Sequence, residues 1–398
     1  MLEVGQGVVD LDFSPQQREF REEVRTWLRA NAPTDARPHD YAGIRAYDLA
    51  WQRTQYDGGW AGISWPVEYG GRGLSLLEQL IWYEEYGRAG LSGMDATFVG
   101  LNHAGPTLMA RASDAQKDAH LPGILKGEVL WCQGFSEPGA GSDLASLSTR
   151  AVVDGDSLVV SGQKIWTSFA HIADWQELLV RTDRSDKKHY GITWVICDIH
   201  SPGVEVRKIK TMDGEAEFAE VFYDEVRIPL DNVVGEINDG WNVAMSTLSF
   251  ERGTAFTASQ VQLESTISRL IGMAKETVGP DGRRLLIADD EIAQRLMEAR
   301  AEVAALRAMT YVSISRAARS ASPGAEGSIV KLYYSELHKK VARLAVDMLG
   351  SSSLELASRW ESGGWTGEYL SSFSLTIGGG TSEIQRNIIG DRVLGLPR

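Results

Sequence analysis

Four short stretches of this 398-residue chain concentrate groups suited to chemistry. The densest is Phe135-Ser136-Glu137-Pro138-Gly139-Ala140-Gly141-Ser142-Asp143. Its proline and small residues force a tight loop with exposed backbone N–H groups, which can approach a flat ring or a phosphate and donate hydrogen bonds to it. Ser136 and Ser142 add hydroxyls. Taken alone it is an ordinary glycine-rich turn. It is not a G-x-G-x-x-G fingerprint, and no strand–helix unit follows, so a dinucleotide-binding reading is poor. The second stretch is Gly162-Gln163-Lys164-Ile165-Trp166-Thr167-Ser168, at the end of a predicted strand. Trp166 can stack on a ring system, against the simpler reading of core packing. The third, Gly378-Gly379-Gly380-Thr381-Ser382-Glu383-Ile384-Gln385-Arg386, opens with three glycines that cannot sit stably inside a helix. They make a turn before a helix starting near Ser382, a natural anion or carbonyl site or an ordinary helix entry. The fourth is Phe250-Glu251-Arg252, where a lone Glu-Arg pair on a helix is most often solvated.

The composition says what kind of chain must position these groups. Its length suffices for two or three packed units. Hydrophobic residues make up 43% and charged residues 24%, which excludes disordered and collagen-like classes. No run approaches the roughly 20 apolar residues needed to cross a bilayer, so no membrane partner is expected. Met1 to Asp12 has neither a basic n-region nor a long apolar stretch and does not read as a secretory signal. With 40 basic against 54 acidic residues, the net charge of −14 disfavours nucleic acid. Cys132 and Cys197 are too few and too far apart for a disulfide framework, and a reducing cytoplasm is the expected compartment. No closely spaced His/Cys cluster suggests a metal.

Ser14-Pro15-Gln16-Gln17 reads as a capped helix start, with Phe20, Val24 and Trp27 on one face before Pro33 and Pro38 end it. Further helices are expected over Arg45 to Tyr56 and Leu76 to Tyr86, separated by the glycine-rich turn Glu68 to Gly73. From about Leu130 to Val234 the pattern changes to short β-branched and aromatic runs, such as Leu158-Val159-Val160, Ile192 to Ile199 and Val221-Phe222-Tyr223. Turn residues separate them, and no long helix intervenes, so a compact β domain is expected rather than βαβ units. After Gly240 helical stripes return: Ile292, Leu296, Ala299, Val303 and Leu306, then Leu337, Val341, Leu344 and Met348 before Gly350. These fit a helical bundle, and some of the stripes could instead bury against a second subunit. The expectation is an α+β multi-domain chain. It has an N-terminal α-helical domain over residues 1–128, a central β-barrel-like domain over 129–239 and a C-terminal four-helix bundle over 240–398.

In order and spacing, Trp131 to Asp143, Gly162 to Ser168, Val226 to Gly235, Gly240-Trp241, Phe250-Glu251-Arg252 and Gly380 to Arg386 together resemble the acyl-CoA dehydrogenase family across almost the whole chain. That resemblance implies FAD as cofactor and an acyl-CoA thioester as substrate. It places Phe135, Ser136, Gly141 and Ser142 against the flavin and the thioester. It places Trp166, Thr167 and Ser168 beside the isoalloxazine ring, and Thr381 and Glu383 near the adenine side. Substrate contacts implied are Ser142, Phe250, Arg252, Gly379 and Gly380. The Gly379 backbone N–H is the implied donor to the thioester oxygen.

Many members of the family carry the catalytic base just before the Gly-Thr of the last motif, where this chain has Gly379. The isovaleryl-CoA and long-chain branch carries it directly before an arginine on the helix after the β domain. Glu251 before Arg252 matches that arrangement, so Glu251 is the expected base. Gly378 and Gly379 are expected to leave room for a branched or bulky acyl group, the alternative being that Trp365, Phe373 or another aromatic fills the space. Two FAD-contact motifs of the family are altered, to Lys275-Glu276-Thr277-Val278-Gly279 and to Asp347-Met348-Leu349-Gly350-Ser351. Lysine lacks the guanidinium fork, and aspartate cannot donate as glutamine does. A homotetramer is the leading expectation, with a heterotetramer containing a related subunit as its rival. Electrons are expected to pass to electron-transfer flavoprotein. Oxygen as the acceptor, in the manner of an oxidase, and a non-catalytic partner-subunit role remain as alternatives.

Overall fold

The computed structural model describes residues 13–91, 95–184, 187–250, 256–279, 282–318, 325–359 and 363–397. The chain folds into two compact units that interleave along the sequence. One takes Pro33–Gly73 and Met94–Arg252, and the other takes Met1–Ala32, Leu74–Gly93 and Gly253–Arg398.

The Pro33–Gly73 and Met94–Arg252 unit is built on a sheet. Its strands are β1 (Trp131–Gly134), β2 (Arg150–Asp154), β3 (Ser157–Ser168), β4 (Trp175–Arg181), β5 (Ile192–Asp198), β6 (Val204–Ile209), β7 (Phe218–Pro229) and β8 (Val233–Val234). The order is β6-β7-β3-β2-β4-β5-β8, and β1 pairs in parallel with β4. Asp154-Gly155-Asp156 makes the β2–β3 hairpin turn, as its residue types demand. On β4 and β5 alternate side chains enter two cores, because both faces are covered. Leu178, Val180, Val195 and Cys197 pack on one side with Leu158, Val160 and Val221. Leu179, Ile192, Trp194 and Ile196 pack on the other with Leu108, Leu121, Val243 and Ala244. Each such fully buried side chain contributes roughly 1.5–3 kcal/mol.

The second core is closed by helices of the same unit. The unit's helices are α2 (Tyr41–Asp57), α4 (Gly105–Arg111), α5 (Asp114–Leu125) and α6 (Gly240–Phe250). Helix α2 starts four residues earlier than its apolar pattern suggests, because the Asp40 side chain caps the Gly43 N–H at 2.8 Å. Helices α4 and α5 are not legible as helices in the sequence pattern. Helix α5 contains Pro122 and shows no clean stripe, although its Ser113-x-x-Gln116 capping box is a readable start signal.

The other unit is helical. Helices α1 (Pro15–Asn31) and α3 (Leu76–Arg88) join α7 (Phe256–Glu276), α8 (Asp290–Ala317), α9 (Gly327–Leu349), α10 (Trp365–Leu375) and α11 (Ser382–Ile388). Ser14 and Gln17 form the expected capping box. Leu296, Ala299, Val303 and Leu306 of the first stripe and Leu337, Val341, Leu344 and Met348 of the second are buried in one core with Leu263, Ile267 and Leu270 of α7, while Ile292 at the head of the first stripe is only partly buried against it. Buried Glu84 and Glu85 on α3 are paired: Arg21 reaches Glu84 at 2.7 Å and Glu85 at 2.8 Å, and Arg307 reaches Glu84 at 2.9 Å. Among the described residues no helix is long and apolar enough to cross a membrane.

Candidate active site

Strand β1 delivers the first stretch. The chain leaves the sheet at Gly134, and Glu137 and Ala140 exchange two backbone hydrogen bonds of 3.0 Å across Pro138-Gly139. The buried Glu137 carboxylate fixes this turn from inside. It accepts from Ser148 N at 2.7 Å, Ser148 Oγ at 2.8 Å and Thr149 N at 2.8 Å. Lys164, with no exposed surface, donates to Glu137 Oε1 at 2.8 Å and to Phe135 O at 3.0 Å. The Ile165 N–H bonds Ser136 O at 3.0 Å. The two glycine-rich stretches are therefore joined side by side within one unit. Phe135 is buried, whereas Gly141 and Ser142 lie exposed at the loop's outer end.

The charges in this joint are strongly shifted. Burial would raise the Glu137 carboxyl, but the Lys164 charge and the bonds from Lys164 and Thr149 outweigh it and hold it at about 2. Burial pulls the Lys164 ammonium down to about 8 against the opposing pull of Glu137. The ion pair is charged at neutral pH, and desolvation is the larger influence on its lysine.

Strand β3 is irregular where Trp166 sits. Lys164 pairs with Val221 and Thr167 with Ala219, so three steps on β3 face two on β7. This bulge puts Trp166 at φ 61°, in the left-handed region that a bulky residue rarely occupies. Its indole is 55% exposed and meets Phe218 edge-on at 6.0 Å. A large aromatic turned outward by a strained backbone is not the core tryptophan that its type suggests. Next to it Thr167 is fully buried, and among the described residues its hydroxyl oxygen has no hydrogen-bond partner. Ser168 returns to the ladder opposite Phe218.

The third stretch belongs to the helical unit. Gly379 and Gly380 have φ of 64° and 89°. Lys331 Nζ donates to Gly380 O at 2.7 Å, and Gln385 Nε2 donates to Gly379 O at 2.9 Å. Thr381 caps α11 by accepting from Ile384 N at 3.2 Å. Ser382 Oγ donates to Glu336 at 2.6 Å. Glu383 is exposed, and bonds from its own backbone N–H and from Thr381 hold its carboxyl below the ordinary range. Phe250 ends α6, while Glu251 and Arg252 lie outside the described residues. Asp347 is not idle: Arg295 reaches it at 2.7 Å and Arg343 at 2.9 Å. Lys275 is exposed in the last turn of α7. Among the described residues no group of acidic, His or Cys side chains could hold a metal.

Three family models match this chain in sequence order. They are the acyl-CoA dehydrogenase N-terminal domain over residues 14–128, the middle domain over 132–226 and the C-terminal domain over 238–394. The chain belongs to the acyl-CoA dehydrogenase family. It is 39% identical over 390 residues to acyl-CoA dehydrogenase IpdE1 of Mycobacterium tuberculosis, an alignment covering 96% of this chain and 98% of that protein. Among solved structures it resembles the Tcur3481-Tcur3483 steroid ACAD, with a TM-score of 0.84, 32% identity, and coverage of 98% of this chain and 100% of that one. It also resembles the ChsE4-ChsE5 complex from Mycobacterium tuberculosis, with a TM-score of 0.82, 33% identity, and coverage of 98% and 100%. The fold of this acyl-CoA dehydrogenase is that of its family: N-terminal helices, a middle sheet domain and C-terminal helices.

The expected residues Phe135, Ser136 and Trp166 to Ser168 are brought together by the Lys164–Glu137 joint. Sequence motifs alone assign neither of those two charged residues a role. The signal is nevertheless present, since opposite charges stand in two adjacent glycine-rich motifs. No sequence signal points to Lys331 as support for the Gly380 turn.

Proposed function

We propose that this oxidoreductase converts an acyl-CoA thioester to its trans-2-enoyl-CoA, with FAD as cofactor and electron-transfer flavoprotein as electron acceptor. The outward, strained Trp166 beside the held Phe135–Ser136 backbone is the observation that carries this reading. A flat ring laid on Trp166 would cover its exposed face, and next to it stands the buried Thr167 hydroxyl, which has no hydrogen-bond partner among the described residues. These features fit a flavin. Phe135, Ser136, Gly141, Ser142, Trp166, Thr167 and Ser168 would hold it, with Thr381 and Glu383 as contacts of its adenine portion. Bound FAD would accept the β hydrogen as hydride. Glu251 would remove the α proton, which a carboxylate does near neutral pH when a dry pocket raises its pKa. The Gly379 N–H would donate to the thioester oxygen as negative charge develops there. Phe250, Arg252, Ser142 and Gly380 would line the acyl-CoA.

Gly378 and Gly379 add no side chain to the turn at residues 378–380, which favours a branched or bulky acyl group. The steroid ACAD among its structural relatives agrees with that choice. The test is purified protein titrated with straight, branched and polycyclic acyl-CoAs. It should be yellow and bleach with bulky substrates. Glu251→Gln should keep the colour and lose bleaching, and retained reduction would reject Glu251 as base. Protein that binds no FAD would reject the reading as a whole.

A second reading concerns assembly. Asp347 is a carboxylate with no N–H to donate to a flavin of a neighbouring subunit, and its oxygens are engaged by Arg295 and Arg343. This favours a heterotetramer with a related subunit over a homotetramer. Sub-stoichiometric FAD in the chain purified alone, made whole by co-expression with a related chain, supports the heteromer. Full FAD content in a homotetramer rejects it.

A further inference from the structure

Lys164 lies in the last regular pair of β3 before the Trp166 bulge, and its ammonium reaches across to β1's exit at Phe135 O and to Glu137. Glu137 in turn grips the Ser148–Thr149 backbone. One buried charge pair thus fixes the ends of two segments at once. A buried pair is a poor way to gain stability, because desolvating both charges offsets most of their attraction, and apolar or neutral side chains of similar size can fill such a space as well. What neutral packing lacks is direction: an ammonium with two acceptors sets the distance between the segments that carry them.

We propose that Lys164 and Glu137 are a positioning pair for the reaction, setting the spacing and tilt of the Trp166 ring relative to the Phe135–Ser136 backbone. This rests on the assignment of those two segments as walls of the flavin site. The pair touches neither substrate nor flavin; it acts through Trp166 and through the backbone it anchors. The bulge makes this effective, since a strained turn relaxes when its neighbouring anchor is removed.

The test is the double variant Lys164→Met/Glu137→Gln, which removes both charges and strands neither. Apoprotein is titrated with FAD, the bound-flavin spectrum is recorded, and kcat and KM are measured on an acyl-CoA. The double variant is expected to melt close to the parent. Its FAD Kd should rise about tenfold or more. Its bound-flavin spectrum should move toward that of free FAD, and kcat should fall with KM little changed. An unchanged spectrum and affinity overturn the proposal, because a merely structural pair would leave both alone. Should the double variant not fold, Glu137→Gln alone is measured in the same way: a moved spectrum with weaker FAD binding supports the pair's role, and no change in either overturns it. Failure of the flavin assignment itself looks different: the parent protein would then bind no FAD.

Discussion

Gly240 lies so close to Trp194 that a β-carbon on it would stand 2.3 Å from the Trp194 backbone nitrogen and 2.5 Å from Thr193 C. Helix α6 therefore starts in direct contact with β5, the strand next to the β8 edge of the sheet. Its Val243 and Ala244 enter the core that also holds Trp194 and Ile192. The sequence continues from this helix into Glu251.

Gly240→Ala should consequently push α6 off β5. Backbone atoms cannot yield as a side-chain tip does, so a loss of about 1–3 kcal/mol or more is expected, as in overpacked cores. Differential scanning calorimetry checks this, and flavin reduction by acyl-CoA should fall with it. A variant as stable as the parent would show that the helix slides freely.

Trp166→Gly separates strain from function. Glycine takes φ 61° at no steric cost, which offsets its greater freedom in the unfolded chain and the lost contact with Phe218. Melting should therefore change by only a few degrees. FAD affinity should drop roughly 10- to 100-fold, since stacking on a ring face is worth about 1–3 kcal/mol. Equal FAD affinity in the two proteins would remove Trp166 from the site.

Much of the fold was readable because local chemistry and global packing agree. The Ser14–Gln17 capping box, the Asp154-Gly155-Asp156 turn and the 3-4 stripes of α8 and α9 each act within a few residues. The segments of the candidate site were readable for the same reason; their mutual geometry was not. Glycine-rich segments announce themselves, but what fixes their geometry is a contact between residues 27 apart, Lys164 and Glu137, or 49 apart, Lys331 and Gly380. A bulge is likewise invisible in single-strand periodicity: Ile165-Trp166-Thr167 reads as continuous strand until its partner β7 supplies one residue fewer.

Acid should weaken the sheet unit through Glu137. Its carboxyl sits at about 2 in the folded protein against an ordinary 4.5. The contribution is complete above pH 4.5 and is lost as the pH falls through about 2. It amounts to roughly 3 kcal/mol for the carboxylate, which at neutral pH is offset by the cost of holding the Lys164 ammonium in the same buried place. Burial shifts His171 the same way, to about 4, with the Lys208 charge adding to it, so the imidazole too favours unfolding as pH falls below its ordinary 6.5. Denaturant midpoints at pH 6 and pH 3 measure the difference. Glu137→Gln should shrink it, and an equal pH dependence in both proteins would contradict the assignment.

Asp347→Asn should loosen α8 from α9. The ion pairs with Arg295 and Arg343 are partly exposed, so the expected loss is only about 1 kcal/mol, a few degrees in Tm. Because screening weakens such pairs, the gap between parent and variant should narrow in 1 M salt. A gap that widens with salt would mean the carboxylate acts otherwise.

The glycines before Thr381 should respond unequally. A β-carbon on Gly378 meets only Ser374 O at 3.5 Å, an ordinary contact. On Gly380, at φ 89°, it would stand 2.8 Å from Gln385 Nε2, the atom that bonds the Gly379 and Gly380 carbonyls. Gly378→Ala should thus be neutral or add about 0.5 kcal/mol, whereas Gly380→Ala should cost about 1–3 kcal/mol through strain and the displaced glutamine. If the open position at Gly378 is what admits a branched acyl group, Gly378→Leu should fold normally yet raise KM for branched more than for straight-chain acyl-CoAs. Kinetics on the two substrate classes decide it, and an equal rise for both would place Gly378 away from the acyl branch.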